Sequence, residues 1–245
     1  MPRNKSIPIN RRAVAKGVAW ATPIVVASTA VPAVAASRCD PKSAPGFRQA
    51  GSWAIKNPDR GKLKSAGSNR PSTFHGKEYW ISNTTALGEE PATIRITAGF
   101  ESGTDDSSIL NTECGMYRVR IYMTAIETRA ASGEYRGNPK VTITLRDPQG
   151  KLINGKTLRY TTDPAGQPGG FLSVPLGEDI QAQEWTLKAI PGVYRFEAVF
   201  DVPAEGLESR RVQNRGLGFT VPSFEPMYSR LFCITLYMHR KIIMS

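Results

Sequence analysis

The chain has 245 residues, with 32 Lys or Arg against 21 Asp or Glu and a formal charge of +11. Arg3, Lys5, Arg11, Arg12 and Lys16 all fall within residues 1–36, which hold no acid, so the remainder carries +6. That excess suits a cell-wall polyanion and is no nucleic-acid signature, and the length accommodates one large β domain with irregular ends.

The first element in chain order is an export signal. A basic stretch ends in Arg11-Arg12-Ala13-Val14-Ala15-Lys16, no charged residue occurs from Val18 to Ala36, and Ala33-Val34-Ala35 supplies the small-x-small pattern of a signal-peptidase site. Residues 1–36 therefore read as a signal peptide, cut after Ala35 or alternatively after Ala36. An uncleaved anchor is the competing reading, since spanning hydrocarbon takes roughly 20 residues. Pro23, Pro32 and many small side chains give the stretch little apolar area, which favours cleavage and leaves no stable membrane span afterwards.

The order Arg11-Arg12-x-Val14-x-Lys16 resembles a twin-arginine signal, and the leader resembles those of actinobacterial secreted and surface proteins. The resemblance implies an address, secreted or cell-surface, and no activity. Ala13-Val14 stands where the best twin-arginine signals carry a strongly hydrophobic pair, so general secretory export remains an alternative. Arg38 before Cys39 does not fit lipid attachment at that cysteine.

Residues 37–76 are rich in Pro, Gly and Ser and read as an irregular arm, with one short strand around Trp53. Residues 77–222 read as a β-sandwich domain. Ile94, Ile96, Ala98 and Phe100 alternate with Thr93, Arg95 and Thr97; Tyr117, Val119, Ile121 and Met123 with Arg118, Arg120 and Thr124; Val141, Ile143 and Leu145 with Thr142, Thr144 and Arg146. Residues two apart share a face of a strand, so each segment covers a core on one side and meets water on the other. Further strands are expected at 156–162, 171–176, 184–189, 193–202 and 216–221. No amphipathic helix longer than two turns is convincing, and many short strands between turns indicate an all-β antiparallel sandwich.

Asp147-Pro148-Gln149-Gly150 has the residues of a tight turn. With Pro191-Gly192-Val193-Tyr194-Arg195-Phe196 it resembles the later strands of an immunoglobulin-like domain, in which Tyr194 would form a tyrosine corner. The resemblance spans about 91–222 and implies architecture alone. Residues 223–245 read as an atypical tail, either an extra edge strand or an appendage.

Three cysteines occur, and outside the cytoplasm a Cys39–Cys114 bridge is expected because the two flank the domain; three unpaired thiols, counting Cys233, are the alternative. No Cys-x-x-Cys or His-rich pattern suggests a metal, and nothing suggests a cofactor. Of the two histidines, His75 and His239, a Ser-His-Asp hydrolase would need His75, which sits in a loop without a nucleophile motif. The acidic pairs Glu89-Glu90, Asp105-Asp106 and Glu178-Asp179 read as solvated turns. Residues 101–108 offer oxygen ligands for a weak calcium site or form a plain polar loop.

Tyr79-Trp80 and Trp185 suit either the core or a sugar-stacking platform. Arg95, Arg118, Arg120, Arg146, Arg159 and Arg195 fall on polar strand faces, either a generic solvated surface or, if aligned, a basic face for an anionic polymer. The sequence thus points to an exported, non-enzymatic binding or structural module, with a cell-wall polymer, glycan or protein as ligand and no nucleic acid. The alternative is a secreted carbohydrate-active protein, a sugar-binding module or an acid-pair glycoside hydrolase.

Overall fold

A computed structural model of the chain describes residues 39–65, 69–127, 138–166, 168–204 and 215–227. Arg11, Arg12, Lys16, Ala33 and Ala35, read above as a signal, lie outside these, as do Cys233, His239 and the tail beyond Met227. Every described strand lies within residues 41–245.

In chain order the strands are β1 (Lys42–Ser43), β2 (Ala54–Arg60), β3 (Arg70–Phe74), β4 (Lys77–Ser82), β5 (Ala92–Gly103) and β6 (Leu110–Asn111). There follow β7 (Met116–Arg120), β8 (Tyr122–Glu127), β9 (Lys140–Arg146), β10 (Leu152–Thr161) and β11 (Leu172–Ser173). The last are β12 (Asp179–Gln181), β13 (Trp185–Lys188), β14 (Gly192–Val202), β15 (Arg215–Thr220) and β16 (Ser223–Pro226). All long pairings are antiparallel, and the fold is an all-β sandwich.

One layer is the large sheet β11-β10-β9-β14-β5-β2, with β6 beside β5. The other is made of two shorter sheets, β1-β16-β7-β13 and β12-β8-β15-β4-β3, which join end to end at Ile121. The buried positions Tyr117, Val119, Ile121 and Met123 alternate straight through that point, so β7 and β8 are one strand bent in the middle. The bend has a cause in both neighbours. Phe219 pairs Met123 and Ser223 pairs Arg120, so one extra residue sits in the 219–223 strand. Gln181 pairs Tyr122 and Trp185 pairs Val119, which leaves one extra residue there too. Two bulges opposite one residue bend and twist the layer.

The core lies between the layers. Phe100 meets Phe224 at 5.2 Å between ring centroids, Phe196 meets Phe219 at 5.7 Å, and Phe200 meets Phe219 at 5.9 Å. Close to this stack the arm departs from its expected irregularity. Residues 54–60 and 70–74 are strands β2 and β3, and Phe47 packs on Trp53 at 4.7 Å and on Phe219 at 5.5 Å. Burial of these aromatics holds the segment in place despite its Pro and Gly content. Ser223–Pro226, at the start of the expected tail, is β16, paired with β7.

Tyr79, Trp80 and Trp185 are buried, at 0, 4 and 0% exposure, so the sugar-stacking reading of these residues is corrected: they are core. Cys39 and Cys114 form a disulfide.

Candidate functional site

The outer face of the large sheet carries a groove of about 530 Å³ that crosses β2, β5, β14 and β9. Alternation supplies its lining: Thr97 and Gly99 on β5, Val193, Arg195 and Glu197 on β14, Thr144 and Arg146 on β9. Gly51, Ser52 and Ala54 close one side, from the segment that the contact of half-buried Trp53 with buried Phe47 anchors.

Register sets which of these side chains meet. Arg195 stands directly opposite Arg146 on one side and Gly99 on the other. Glu197 stands opposite Thr144 and Thr97. A Cβ at Gly99 would come within 3.0 Å of Val193 Cγ1, so glycine there keeps the groove open beside Arg195.

The turn that presents Arg146 is built by the residues singled out in the sequence. Asp147 Oδ1 accepts from Gln149 N at 3.0 Å and Lys151 N at 2.9 Å, and Gly150 adopts φ 85°. Arg146 Nη1 donates to Gly150 O at 2.9 Å, which fixes the guanidinium at the turn. Gly192 adopts φ 125° against Pro148, where a Cβ would approach Pro148 Cβ to 2.8 Å. Following Pro191 and Gly192, the Tyr194 hydroxyl donates to Lys188 O at 2.7 Å and accepts from Ile190 N at 3.2 Å. That corner holds the start of β14 at Tyr194, one residue before Arg195. Burial pushes the Tyr194 phenol above its ordinary range.

The other arginines divide between the two layers. Arg95 donates to Asp59 Oδ2 at 2.9 Å and pairs with Glu197, and the hydrogen bond from Arg95 is the main reason the Asp59 carboxyl is held below its usual range. Arg159 donates to Gly169 O at 2.9 Å. On the outer face of the second layer, Arg118 and Arg120 both reach Glu184 at 2.9 Å, and Arg120 also reaches Glu225 at 2.7 Å. The six arginines therefore do not form one basic face, and Arg118 and Arg120 stand on the layer opposite Arg146 and Arg195.

His75 is a turn residue. With Gly76 it makes the two-residue link between β3 and β4, both at positive φ (46° and 74°), the geometry that hairpin twist favours. Its Nδ1 lies 3.1 Å from Asp179 Oδ1, while Lys77 Nζ holds Asp179 Oδ2 at 2.7 Å. Burial alone would raise the Asp179 carboxyl, but the bonds from Lys77 and His75, with the neighbouring Tyr79 hydroxyl adding to them, outweigh it and bring it below its usual range. Burial, then the neighbouring Asp179, pushes the Tyr79 phenol strongly up.

The calcium reading of 101–108 is displaced by an ammonium group: Lys42 Nζ donates to Asp106 O at 2.6 Å and Ser108 O at 2.7 Å, taking oxygens a cation would use. Among the described residues no group of three or more His, Cys, Asp or Glu is placed to hold a metal ion, and no helix is long and apolar enough to cross a membrane. Glu197 is the single carboxylate among the groove residues, and Arg95 holds it; an acid pair for glycoside hydrolysis needs two across one cleft.

Sequence reasoning reached Arg146 and Arg195 as outward residues. It missed Gly51, Ser52, Gly99 and the juxtaposition of the two arginines; a glycine interrupting an alternating strand was the available signal for Gly99.

No family model matches the chain, and no curated protein matches it. Among solved structures it is similar to the family 11 carbohydrate-binding module of the Clostridium thermocellum cellulosomal cellulase Lic26A-Cel5E, at 7% identity over 76% of this chain and 95% of that one, with a TM-score of 0.37. It is also similar to the CBM2 module of the evolved Dit of Lactobacillus casei BL23 phage J-1, at 10% identity over 77% of this chain and 98% of that one, with a TM-score of 0.39. Likenesses this distant carry no argument about a ligand.

Proposed function

We propose that the chain is an exported, non-enzymatic β-sandwich module that works at the cell surface or in secreted form, binding a cell-wall polymer, glycan or protein in the groove across β2, β5, β14 and β9. The observation that carries the binding role is the groove itself: outward side chains of four strands with a glycine floor, bordered by a segment pinned into the core. Loops and sheet faces held on a rigid body are where recognition concentrates. Its single carboxylate is occupied by Arg95, which favours binding over acid-pair hydrolysis.

Export rests on the basic, uncharged and small-x-small sequence of residues 1–36, and the Cys39–Cys114 disulfide supports an oxidising compartment. On this reading residues 1–36 are removed and the body begins near residue 37.

Two measurements test the two halves. Mass spectrometry of the protein from its native host should show a start near residue 37 and Cys39 joined to Cys114; an intact Met1 with reduced thiols in the cytosol sinks export. Sedimentation with isolated cell envelope should retain the native chain and lose Gly99→Gln, whose side chain enters the groove, under conditions in which both chains remain folded. Equal retention of both places the ligand elsewhere.

A further inference from the structure

We propose that the groove is selective for an acidic polysaccharide, with Arg146 and Arg195 acting together as an oxyanion clamp; this rests on the binding role proposed above. The two arginines are register partners on β9 and β14. Directly opposite residues place their Cβ atoms about 4.5–5.5 Å apart, and like charges so placed repel. The sheet carries this repulsion at the mouth of its groove without relieving it: among the described residues no acidic side chain pairs with either arginine. Arg95, Arg118 and Arg120 each have a carboxylate partner.

The surroundings keep the pair available. Glu197, two residues along the same face from Arg195, is engaged by Arg95 and does not neutralise it. Arg146 uses one N–H on Gly150 O, leaving the rest of its donor fork. Opposite Arg195, Gly99 contributes no side chain, so an incoming oxyanion can approach the guanidinium from that flank. A guanidinium fork suits the planar, two-oxygen geometry of a carboxylate.

The rest of the groove argues for a sugar polymer carrying those oxyanions. Thr144, half-buried on β9, lines the groove. Thr97 stands in the same cross-strand row. Four strands at the usual inter-strand spacing extend the groove to roughly 14 Å, more than a single small anion fills. Because Tyr79, Trp80 and Trp185 are core, affinity from stacking on them is absent and charge-assisted hydrogen bonds must supply it.

Affinity electrophoresis of the host-purified chain through gels containing polygalacturonate, dextran sulfate or uncharged dextran tests this. The expected result is retardation by polygalacturonate that weakens with salt, with affinity about tenfold or more lower in Arg146→Ala/Arg195→Ala. Arg118→Ala, on the other layer, should migrate as the native chain does. Arginine-dependent retardation by dextran sulfate alone keeps the clamp and assigns sulfate instead of carboxylate. Equal retardation by uncharged dextran, or retardation that survives the double substitution, overturns the clamp. So does no retardation by either charged polymer. In those cases envelope binding that Gly99→Gln abolishes still upholds the groove, whereas its absence removes the broader reading as well.

Discussion

On the outer face of the second layer, Arg118 and Arg120 converge on Glu184, with Glu225 taking a further bond from Arg120. On the outer face of the large sheet, Arg146 and Arg195 face each other across β9 and β14 with no acid between them. Both arrangements arise from the same alternation of Arg with buried apolar residues. The difference comes from what register brings alongside. Glu184 lies just before β13 and Glu225 within β16, both beside β7, whereas the neighbours of Arg195 are Arg146 and Gly99. A paired face is electrostatically complete; the face left unpaired is where a ligand has something to contribute.

The two faces share one core, and the largest expected effect removes that common support. Phe219 is fully buried and contacts Phe47, Phe196 and Phe200. Phe219→Ala should cost about 3–5 kcal/mol in urea unfolding. Ligand retention and unfolding should then fail at the same denaturant concentration. If the groove lost function well before the chain unfolded, the faces would be separately supported and their comparison would need a local explanation.

Much of the body was legible because period-two alternation is local: 94–100, 117–123 and 141–145 show it without any partner in view. The turn at Asp147–Gly150 was legible for the same reason, since its dihedral requirements fall on its own residues. The arm was not. Phe47 and Trp53 are isolated in Pro- and Gly-rich sequence, and their burial depends on Phe219 and Phe196, far along the chain. The break at Ile121 was equally hidden, because the extra residues that cause it belong to neighbouring strands. The arginine pair needs the register of β9 against β14, which are not consecutive, so the sequence supplied its members without their meeting.

A smaller effect separates the layers by pH. The Asp179 carboxyl, on the second layer, sits below its usual range in the folded chain because Lys77, Tyr79 and His75 overcome its burial. A carboxyl lowered on folding contributes stability that is fully present above its unfolded value, near pH 4, and is lost as pH falls through the folded value. Asp179→Asn should therefore be less stable than the native chain at pH 7, with the gap closing in acid below about pH 4. Urea titrations at both pH values measure it. A gap that stayed constant would mean Asp179 acts through packing and not through charge.

The smallest effect bears most directly on the comparison, because the two faces predict opposite signs. Arg120 is partly shielded and bonded to two carboxylates, so Arg120→Ala should lose about 0.2–1 kcal/mol, the scale of surface ion pairs, and less at high salt. Arg195→Ala removes a like charge standing opposite Arg146, so it should leave stability unchanged or raise it by a few tenths of a kcal/mol, a gain that salt erases. Unfolding of both variants in low and in high salt reads the contrast. If Arg195→Ala lost as much as Arg120→Ala, Arg195 would already be satisfied within the fold and a ligand would have nothing to add on the unpaired face. If the signs differ as stated, the repulsion between β9 and β14 is a standing cost of the fold, and an anion bridging the two guanidinium groups would relieve it.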